Sequence, residues 1–236
     1  MPDLAIVIPC YNPPTNWAQD LLRRSSEFKE LIGHDFHLCL VNDASSAGLK
    51  EADIQMLQDN WPAFSYITYP TNHGKGYALR QGVKEMKSTY ILYTDIDFPY
   101  TYESMLAVYE ALKDGHHVAV GTRDDIYYEN TPARRTLISK VLRWTFRVVF
   151  RLPITDTQCG LKGFDQEGKE VFLKTRIERF LFDMEFIALA SRNKSLKMVP
   201  VAVSLRSDVQ FSRMSVRILL TEAVNFFRIF WLTHFT

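Results

Sequence analysis

The sequence predicts an α/β fold with a mainly parallel sheet. Short apolar, β-branched or aromatic runs alternate with helical patterns through the first half of the chain, and such alternation places helices against a parallel sheet. Polar clusters follow three of the predicted strands, where open parallel sheets bind their ligands. The 236 residues, 47% of them hydrophobic, suffice for a real core.

The elements follow one another without an internal repeat or a linker, so a single domain is a simpler interpretation than two. Strands are predicted at 4–8, 36–41, 66–69, 90–94 and 118–120, with helices at 17–31, 49–60, 76–87 and 102–114. The second half contains a helix near 133–150, a glycine-containing loop near 155–163, a helix near 183–192, a strand near 198–204 and a terminal helix. These assignments predict a domain over 1–210, in halves of about 1–122 and 123–210, followed by an amphipathic helix over 211–236.

Net charge, cysteine spacing and the position of the first strand indicate which partners and which location to expect. With 28 Lys plus Arg against 27 Asp plus Glu, the net charge of +1 gives no reason to expect a nucleic acid partner. The three cysteines are far apart and lack metal-ligand spacing, which favours reduced thiols in a reducing compartment. No signal peptide is expected, because the first strand begins almost at the first residue.

Two segments have the pattern of interfacial helices. Residues 131–155 contain six basic and no acidic side chains, with aromatic residues between them. This pattern favours binding to an anionic membrane surface, slightly ahead of a solvated helix that packs its aromatic side chains inward. In the C-terminal run 215–231, Arg217, Glu222 and Arg228 argue against a transmembrane helix. A helix docked on the core and one lying in the membrane plane remain equal alternatives there.

Three polar clusters, each at the end of a predicted strand, mark a candidate site. They are Pro9-Cys10-Tyr11-Asn12, Asn42-Asp43-Ala44-Ser45-Ser46 and Asp95-Ile96-Asp97. A turn or a helix cap would explain any one of them, but three together indicate a ligand site. In extended backbone the carboxylates of Asp95 and Asp97 point the same way, and such a pair suits Mg²⁺ or Mn²⁺. Lys75, between two glycines at a helix start, could meet an anion.

Several motifs resemble family 2 glycosyltransferases of the GT-A fold, a Rossmann-like nucleotide-sugar transferase fold. They are Val7-Ile8-Pro9-Cys10-Tyr11-Asn12, Val41-Asn42-Asp43-Ala44-Ser45, Asn72-His73-Gly74-Lys75-Gly76, Thr94-Asp95-Ile96-Asp97 and Val120-Gly121-Thr122-Arg123. Later motifs are similar to the polyprenyl-phosphate (dolichyl-phosphate) glucosyl- and mannosyltransferase branch. These are Arg135-Thr136-Leu137-Ile138-Ser139, Asp156-Thr157-Gln158-Cys159-Gly160-Leu161-Lys162-Gly163-Phe164 and Phe182-Asp183-Met184-Glu185.

The resemblance implies a role for each site residue. In the donor half, Asp43 would contact the base or ribose, Asp95 and Asp97 would hold the metal on the donor diphosphate, and the remaining nucleotide-sugar contacts would come from Pro9, Tyr11, Asn12 and Lys75. The acceptor phosphate would be held by Arg123, Arg135 and Ser139. Asp156 and Asp183 are candidate carboxylates beside the reacting atoms, each equally explained by a structural role, whereas Glu185 is interpreted as structural.

Three departures from the family pattern qualify these roles. Pro99 occupies a position where relatives often have Gln, and Asn42 stands first in the common Asp-Asp pair. The transmembrane helices of many relatives are not expected here.

The sequence thus predicts a metal-dependent, inverting transfer of a hexose from a UDP-glucose or GDP-mannose type donor to a polyprenyl phosphate. The enzyme would be peripheral at the cytoplasmic face of a membrane. Two alternatives stay open. One is a soluble transferase acting on a saccharide, lipid headgroup or protein, and the other is a nucleotide-sugar-binding subunit without turnover that has a separate membrane-protein partner.

Overall fold

The computed structural model describes residues 2–123, 154, 156–207, 225 and 229. Within these residues the strands are β1 (Leu4–Cys10), β2 (His37–Asn42), β3 (Phe64–Thr68), β4 (Tyr90–Tyr93), β5 (Val118–Arg123), β6 (Lys162–Phe164) and β7 (Met198–Val203). The helices are α1 (Trp17–Ile32), α2 (Glu51–Asn60), α3 (Lys75–Glu85), α4 (Tyr102–Lys113), α5 (Gln166–Phe172) and α6 (Phe182–Arg192).

The strands form one sheet in the order β3-β2-β1-β4-β6-β5-β7. β6 runs antiparallel to both of its neighbours, whereas the other pairings are parallel. The mainly parallel α/β sheet predicted from the sequence is therefore confirmed.

One stretch differs from the prediction. The predicted loop at 155–163 ends inside β6, and α5 follows it without having been predicted. A strand of three residues is too short to show a period of two, and its Lys162 and Gly163 are residues that usually indicate a loop.

The sheet is covered on both faces by apolar side chains. Val7 and Tyr93 pack with α3, α5 and α6 on one face, and Ile6 and Leu92 pack with α1, α2 and α4 on the other. This is the alternation that extended backbone imposes on successive residues. On the first face, helix α3 lies so close that a Cβ added at Gly82 would be 2.4 Å from Val7 Cγ1.

Three non-glycine residues adopt left-handed backbone just beyond three strands. These are Asn12 after β1 (φ 47°), Ala44 after β2 (φ 56°) and Phe98 after β4 (φ 44°). Such conformations are disfavoured for residues with a Cβ and cluster at functional sites. The backbone therefore turns sharply at the edge where the sequence places a site.

Several predicted features fall outside the described residues. They include Arg135, Ser139, the basic segment 131–155 apart from Ile154, and residues 208–236 apart from Asn225 and Ile229. Ile229 is helical and buried in the apolar cluster of the α3 face, as the docked alternative expects at this position. Across the described part of the chain, no helix is both long and apolar enough to span a bilayer.

Candidate active site

The candidate site lies at the carboxyl edge of β2, β1 and β4. These three strands are parallel neighbours, with Cys10 opposite Asn42 and Val7 opposite Tyr93. Their ends therefore meet at one edge, and the three polar clusters of the sequence come together there.

The exits of β1 and β2 are joined through Asn12. Its backbone N–H donates to Ser45 Oγ (2.9 Å), and its Oδ1 accepts from the N–H groups of Ser46 (2.8 Å) and Ala47 (3.0 Å). Asn12 thus holds the loop after β2, whereas neighbouring Tyr11 is 55% exposed. Tyr11 thus presents an exposed aromatic ring among the residues predicted to line a nucleotide pocket.

Asn42 holds the end of β2 to β3. Its amide nitrogen donates to the hydroxyl oxygens of Tyr66 (3.0 Å) and Thr68 (3.2 Å), and its Oδ1 accepts from Ser45 N–H (2.9 Å). An amide donates and accepts at once, which a carboxylate cannot do. This double role gives a physical reason for Asn at this position.

Asp43 is buried and accepts four hydrogen bonds through its carboxylate. Oδ1 accepts from the Tyr69 hydroxyl and the His73 N–H, both at 2.9 Å. Oδ2 accepts from Asn72 Nδ2 at 2.8 Å and from Gly74 N–H at 2.7 Å. A carboxylate has about four acceptor positions, so this contact set holds the segment that leads into α3.

Asp95 forms an ion pair with Lys75 at the centre of the site. Lys75 Nζ lies 2.6 Å from Asp95 Oδ1, and the two side chains are 18% and 43% exposed. Although desolvation opposes its charge, the carboxylates of Asp95 and Asp183 raise the pKa of Lys75. The site therefore contains a positively charged ammonium group beside its central carboxylate.

The backbone at Gly160 packs against this ion pair. A Cβ at this position would lie 2.9 Å from Asp95 Oδ2, 3.4 Å from the Tyr100 hydroxyl and 3.7 Å from Lys75 Nζ. The buried Tyr100 hydroxyl in turn accepts from Gly160 N–H at 2.8 Å. A side chain at this position would therefore push the Asp95 carboxylate out of its present place.

Asp97 does not lie in the extended backbone expected from the sequence, because Ile96 and Asp97 form a turn in which Asp95 O accepts from Phe98 N–H at 3.0 Å. Asp97 is an exposed residue, yet desolvation of its carboxyl group and the charge of Asp95 raise its pKa. A carboxylate pair with this mutual repulsion favours a cation between its members.

The donor set fits a divalent ion that also takes ligands from a substrate. Among the described residues, no group of three or more His, Cys, Asp or Glu side chains has the arrangement of a metal site. Mg²⁺ often binds through only one or two carboxylates, with phosphate oxygens and water as its other ligands. Asp95 and Asp97 are the two carboxylates that such an ion would use here.

A buried network underlies the site. Lys162 is fully buried, and its Nζ donates to Cys159 O (2.5 Å) and Asp183 Oδ1 (2.6 Å). The Tyr93 hydroxyl donates to the same Asp183 oxygen (2.5 Å). Burial and the Asp183 carboxylate hold the pKa of Tyr93 well above its ordinary value. This network fixes the turn that presents Gly160 to Asp95.

Asp156 and Arg123 are paired with each other. The guanidinium meets the carboxylate at several short distances, including Nε to Oδ2 at 2.9 Å and Nη2 to Oδ1 at 2.5 Å. Asp156 also accepts from Arg123 N–H at 2.7 Å. The pair therefore joins the end of β5 to the segment that leads to Gly160.

Glu185 has the structural role interpreted from the sequence. Its Oε2 accepts from the N–H groups of Arg176 (2.8 Å) and Ile177 (2.7 Å). These bonds hold the connection between α5 and α6, and Arg80 adds a bond to Ile177 O at 2.7 Å.

Sequence reasoning missed three members of the site. Lys162, Tyr93 and Tyr100 were assigned no role, although all three are buried beside the predicted carboxylates. The one available signal was a lysine between apolar residues in Leu161-Lys162-Gly163-Phe164, because a buried lysine requires a partner.

Comparison with known proteins identifies relatives over most of the chain. The sequence model described as "Glycosyl transferase family 2" matches residues 5–172. The dolichyl-phosphate beta-glucosyltransferase of Saccharomyces cerevisiae is 26% identical over 235 residues, covering 91% of this chain and 70% of that protein. The Homo sapiens protein of the same name is 25% identical over 214 residues, covering 84% and 65%.

Solved structures share the fold. The mannosyl-3-phosphoglycerate synthase of Rubrobacter xylanophilus superposes with a TM-score of 0.67 at 14% identity, covering 96% of this chain and 72% of that one. The glucosyl-3-phosphoglycerate synthase of Mycobacterium tuberculosis, solved with Mn²⁺, UDP-glucose and phosphoglyceric acid, gives 0.64 at 11% identity, covering 98% and 79%.

Proposed function

Since the chain belongs to glycosyltransferase family 2 and has the GT-A fold, we propose that it moves a hexose from a nucleotide sugar to a polyprenyl phosphate. The prediction of a glycosyltransferase is itself confirmed by the family match and by the relatives. The curated relatives are named for transfer to dolichyl phosphate, which supports a polyprenyl-phosphate acceptor for this chain. The donor is of the UDP-glucose or GDP-mannose type.

One observation carries the proposal. Asp95, Asp97 and Lys75 stand together at the carboxyl edge of a parallel sheet, with Asp95 held by Lys75 at 2.6 Å. Two carboxylates and an ammonium are what a diphosphate and its divalent cation need. Mg²⁺ or Mn²⁺ held by Asp95 and Asp97 would offset charge on the departing diphosphate.

The other residues are assigned to the two substrates. Tyr11, with its exposed ring, lines the nucleotide pocket together with Pro9 and Asn12. Asp43 acts at the base or ribose end of the donor, mainly through the segment that its four hydrogen bonds hold in place.

On the acceptor side, Arg123 contributes to binding the lipid phosphate with Arg135 and Ser139, because guanidinium groups present planar donors to phosphate oxygens. Asp156 orients Arg123 through their ion pair. Asp183 supplies negative charge beneath the reacting atoms. A phosphate acceptor is already largely ionised near neutral pH, so it needs no strong general base, and single displacement inverts the anomeric carbon.

Transfer assays with radiolabelled UDP-glucose and GDP-mannose test this proposal. Purified protein is mixed with vesicles containing dolichyl phosphate and with Mn²⁺ or a chelator. We expect transfer by the wild type and its loss in Asp97→Ala, while the remote exposed variant Asp59→Ala stays active. Full activity of Asp97→Ala, or undiminished transfer in chelator, would refute the metal assignment.

The acceptor assignment has its own test. Arg135→Ala should weaken the use of dolichyl phosphate and spare donor binding, since it removes a phosphate contact only. Equal loss of both would contradict the role given to Arg135. Transfer to a saccharide or protein, with none to dolichyl phosphate and no flotation with anionic vesicles, would overturn the lipid acceptor.

A further inference from the structure

Lys75 stands where a divalent ion and a donor diphosphate would both interact. Its ammonium lies 2.6 Å from Asp95 Oδ1, and the second oxygen of Asp95 faces the backbone at Gly160. The carboxylate is therefore neutralised on one side and lies close to backbone on the other, while 43% of the side chain stays exposed. A divalent ion approaching this arrangement finds Asp95 already paired with a cation, whereas Arg24 and Lys75 act on Asp97 only through space.

The ammonium and a divalent ion compete for Asp95. A dication at bonding distance from Oδ1 would lie within a few ångströms of Lys75 Nζ, where like charges repel strongly. A cation can therefore bind fully at Asp95 only if Lys75 moves away.

The backbone around Lys75 is fixed, so only its side chain can move. Gly74 N–H donates to Asp43 (2.7 Å), and Tyr77 N–H donates to Glu178 O (3.1 Å). A Cβ at Gly76 would be 2.6 Å from Ile177 O, which shows how closely this turn is packed. The four-carbon stem of lysine still lets the ammonium swing to a nearby anion.

We propose that Lys75 makes metal binding depend on donor binding. In the free enzyme it pairs with Asp95 and weakens the affinity for the divalent ion. When the donor binds, the ammonium moves to the diphosphate oxygens and leaves Asp95 to the metal. This inference rests on the proposed function, because it requires a nucleotide diphosphate beside Asp95.

Thermodynamic linkage relates the donor affinity to the metal affinity. If the donor raises the metal affinity by some factor, the metal must raise the donor affinity by the same factor. Part of that factor comes from direct contact between phosphate and metal. The remainder comes from releasing Asp95, and only this part depends on Lys75.

The experiment measures Mn²⁺ binding by the loss of the free-ion signal in electron paramagnetic resonance, with and without UDP, or with GDP if UDP does not bind. Competition between nucleotide and protein for Mn²⁺ is calibrated with nucleotide alone. We expect Lys75→Met to bind Mn²⁺ without nucleotide about 10- to 100-fold more tightly than the wild type, the range for losing a charged hydrogen bond. The enhancement by nucleotide should fall by a similar factor.

Two matched variants separate the pairing from a general charge effect. Lys84→Met removes an exposed lysine from the far end of α3 and should change nothing. Arg24→Met removes a cation that acts on Asp97 through space and should leave the nucleotide enhancement intact. Lys75→Gln repeats the test if Lys75→Met does not fold.

The outcomes are distinct. If Lys75→Met and Arg24→Met alter Mn²⁺ binding alike, Lys75 is merely one charge among several and the inference fails. An unchanged nucleotide enhancement in Lys75→Met overturns it as well, while the proposed function stands. If the wild type binds neither UDP nor GDP with Mn²⁺, the proposed function itself fails.

Discussion

Replacing Lys162 by Met should destabilise the protein more than any surface change. Lys162 is fully buried, and its ammonium makes two short bonds, to Asp183 Oδ1 (2.6 Å) and Cys159 O (2.5 Å). Methionine fills a similar volume but leaves Asp183 as a buried carboxylate without its cation. Breaking a buried ion pair from one side costs about 3–5 kcal/mol, a large part of the roughly 5–15 kcal/mol that stabilises a typical domain.

Urea unfolding of four proteins tests this prediction: the wild type, Lys162→Met, Asp183→Asn and the double variant. The double variant should be more stable than Lys162→Met by about 1–3 kcal/mol, because it no longer buries an uncompensated charge. Lys87→Met, an exposed lysine, is the matched control and should stay within about 0.5 kcal/mol of the wild type. Lys162→Met alone could fail to accumulate in cells. In that case, accumulation of the double variant is the result that this prediction expects.

A stability loss below about 1 kcal/mol in Lys162→Met would contradict this prediction, since breaking a buried ion pair from one side costs more than that. A double variant as unstable as the sum of the single variants would contradict it as well. That result would mean that the two side chains do not interact.

Three further predictions follow from the same structure. Gly160→Ala should slow transfer by about 10- to 100-fold, because its Cβ would press on Asp95 Oδ2 at 2.9 Å. The control Gly115→Ala has nothing within 4 Å of its Cβ but strains a backbone with φ of +88°, so it should lose some stability and keep its activity. Full activity of Gly160→Ala would contradict the packing. Burial lowers the pKa of His37, so the folded state binds fewer protons than the unfolded state once the pH falls below about 6.5. The free energy of unfolding should therefore fall on acidification through that range, and it should fall less in His37→Asn. If the urea midpoint changes with pH equally in the wild type and in His37→Asn, His37 is not the cause of the fall. Burial raises the pKa values of Cys10 and Cys39 to about 12 and also raises the pKa of Cys159. A thiol reagent should therefore react with all three cysteines only after denaturation. Rapid reaction of the native protein would contradict this prediction.

Much of the fold and the position of the site could be predicted from the sequence. The period of the apolar residues indicated the parallel strands, and the strand exits with Asp43, Asp95 and Asp97 followed from them. The local sequence pattern could predict these strand ends because each strand and the turn after it are neighbours in the chain.

The partners of the site residues could not be predicted in this way. Lys162 meets Asp183 across 21 positions, and Arg123 meets Asp156 across 33. Such contacts depend on how distant segments pack, and the spacing of apolar residues along the chain carries no information about that packing. The four donors to Asp43 were missed for the same reason, since they come from a loop about 30 residues further along the chain.

The position of β6 has a consequence for how this chain reaches its native state. β5 joins the sheet through β6 and β7, and β6 also closes the open side of β4. A fragment ending at residue 123 would thus leave β5 detached and expose the edge of β4, which invites pairing with other chains. During synthesis the centre of the sheet stays incomplete until residues 162–164 emerge, and such long-range closure slows folding. Residues 1–123 are therefore not expected to fold when they are grafted into another protein, and engineered chimaeras should join beyond β7.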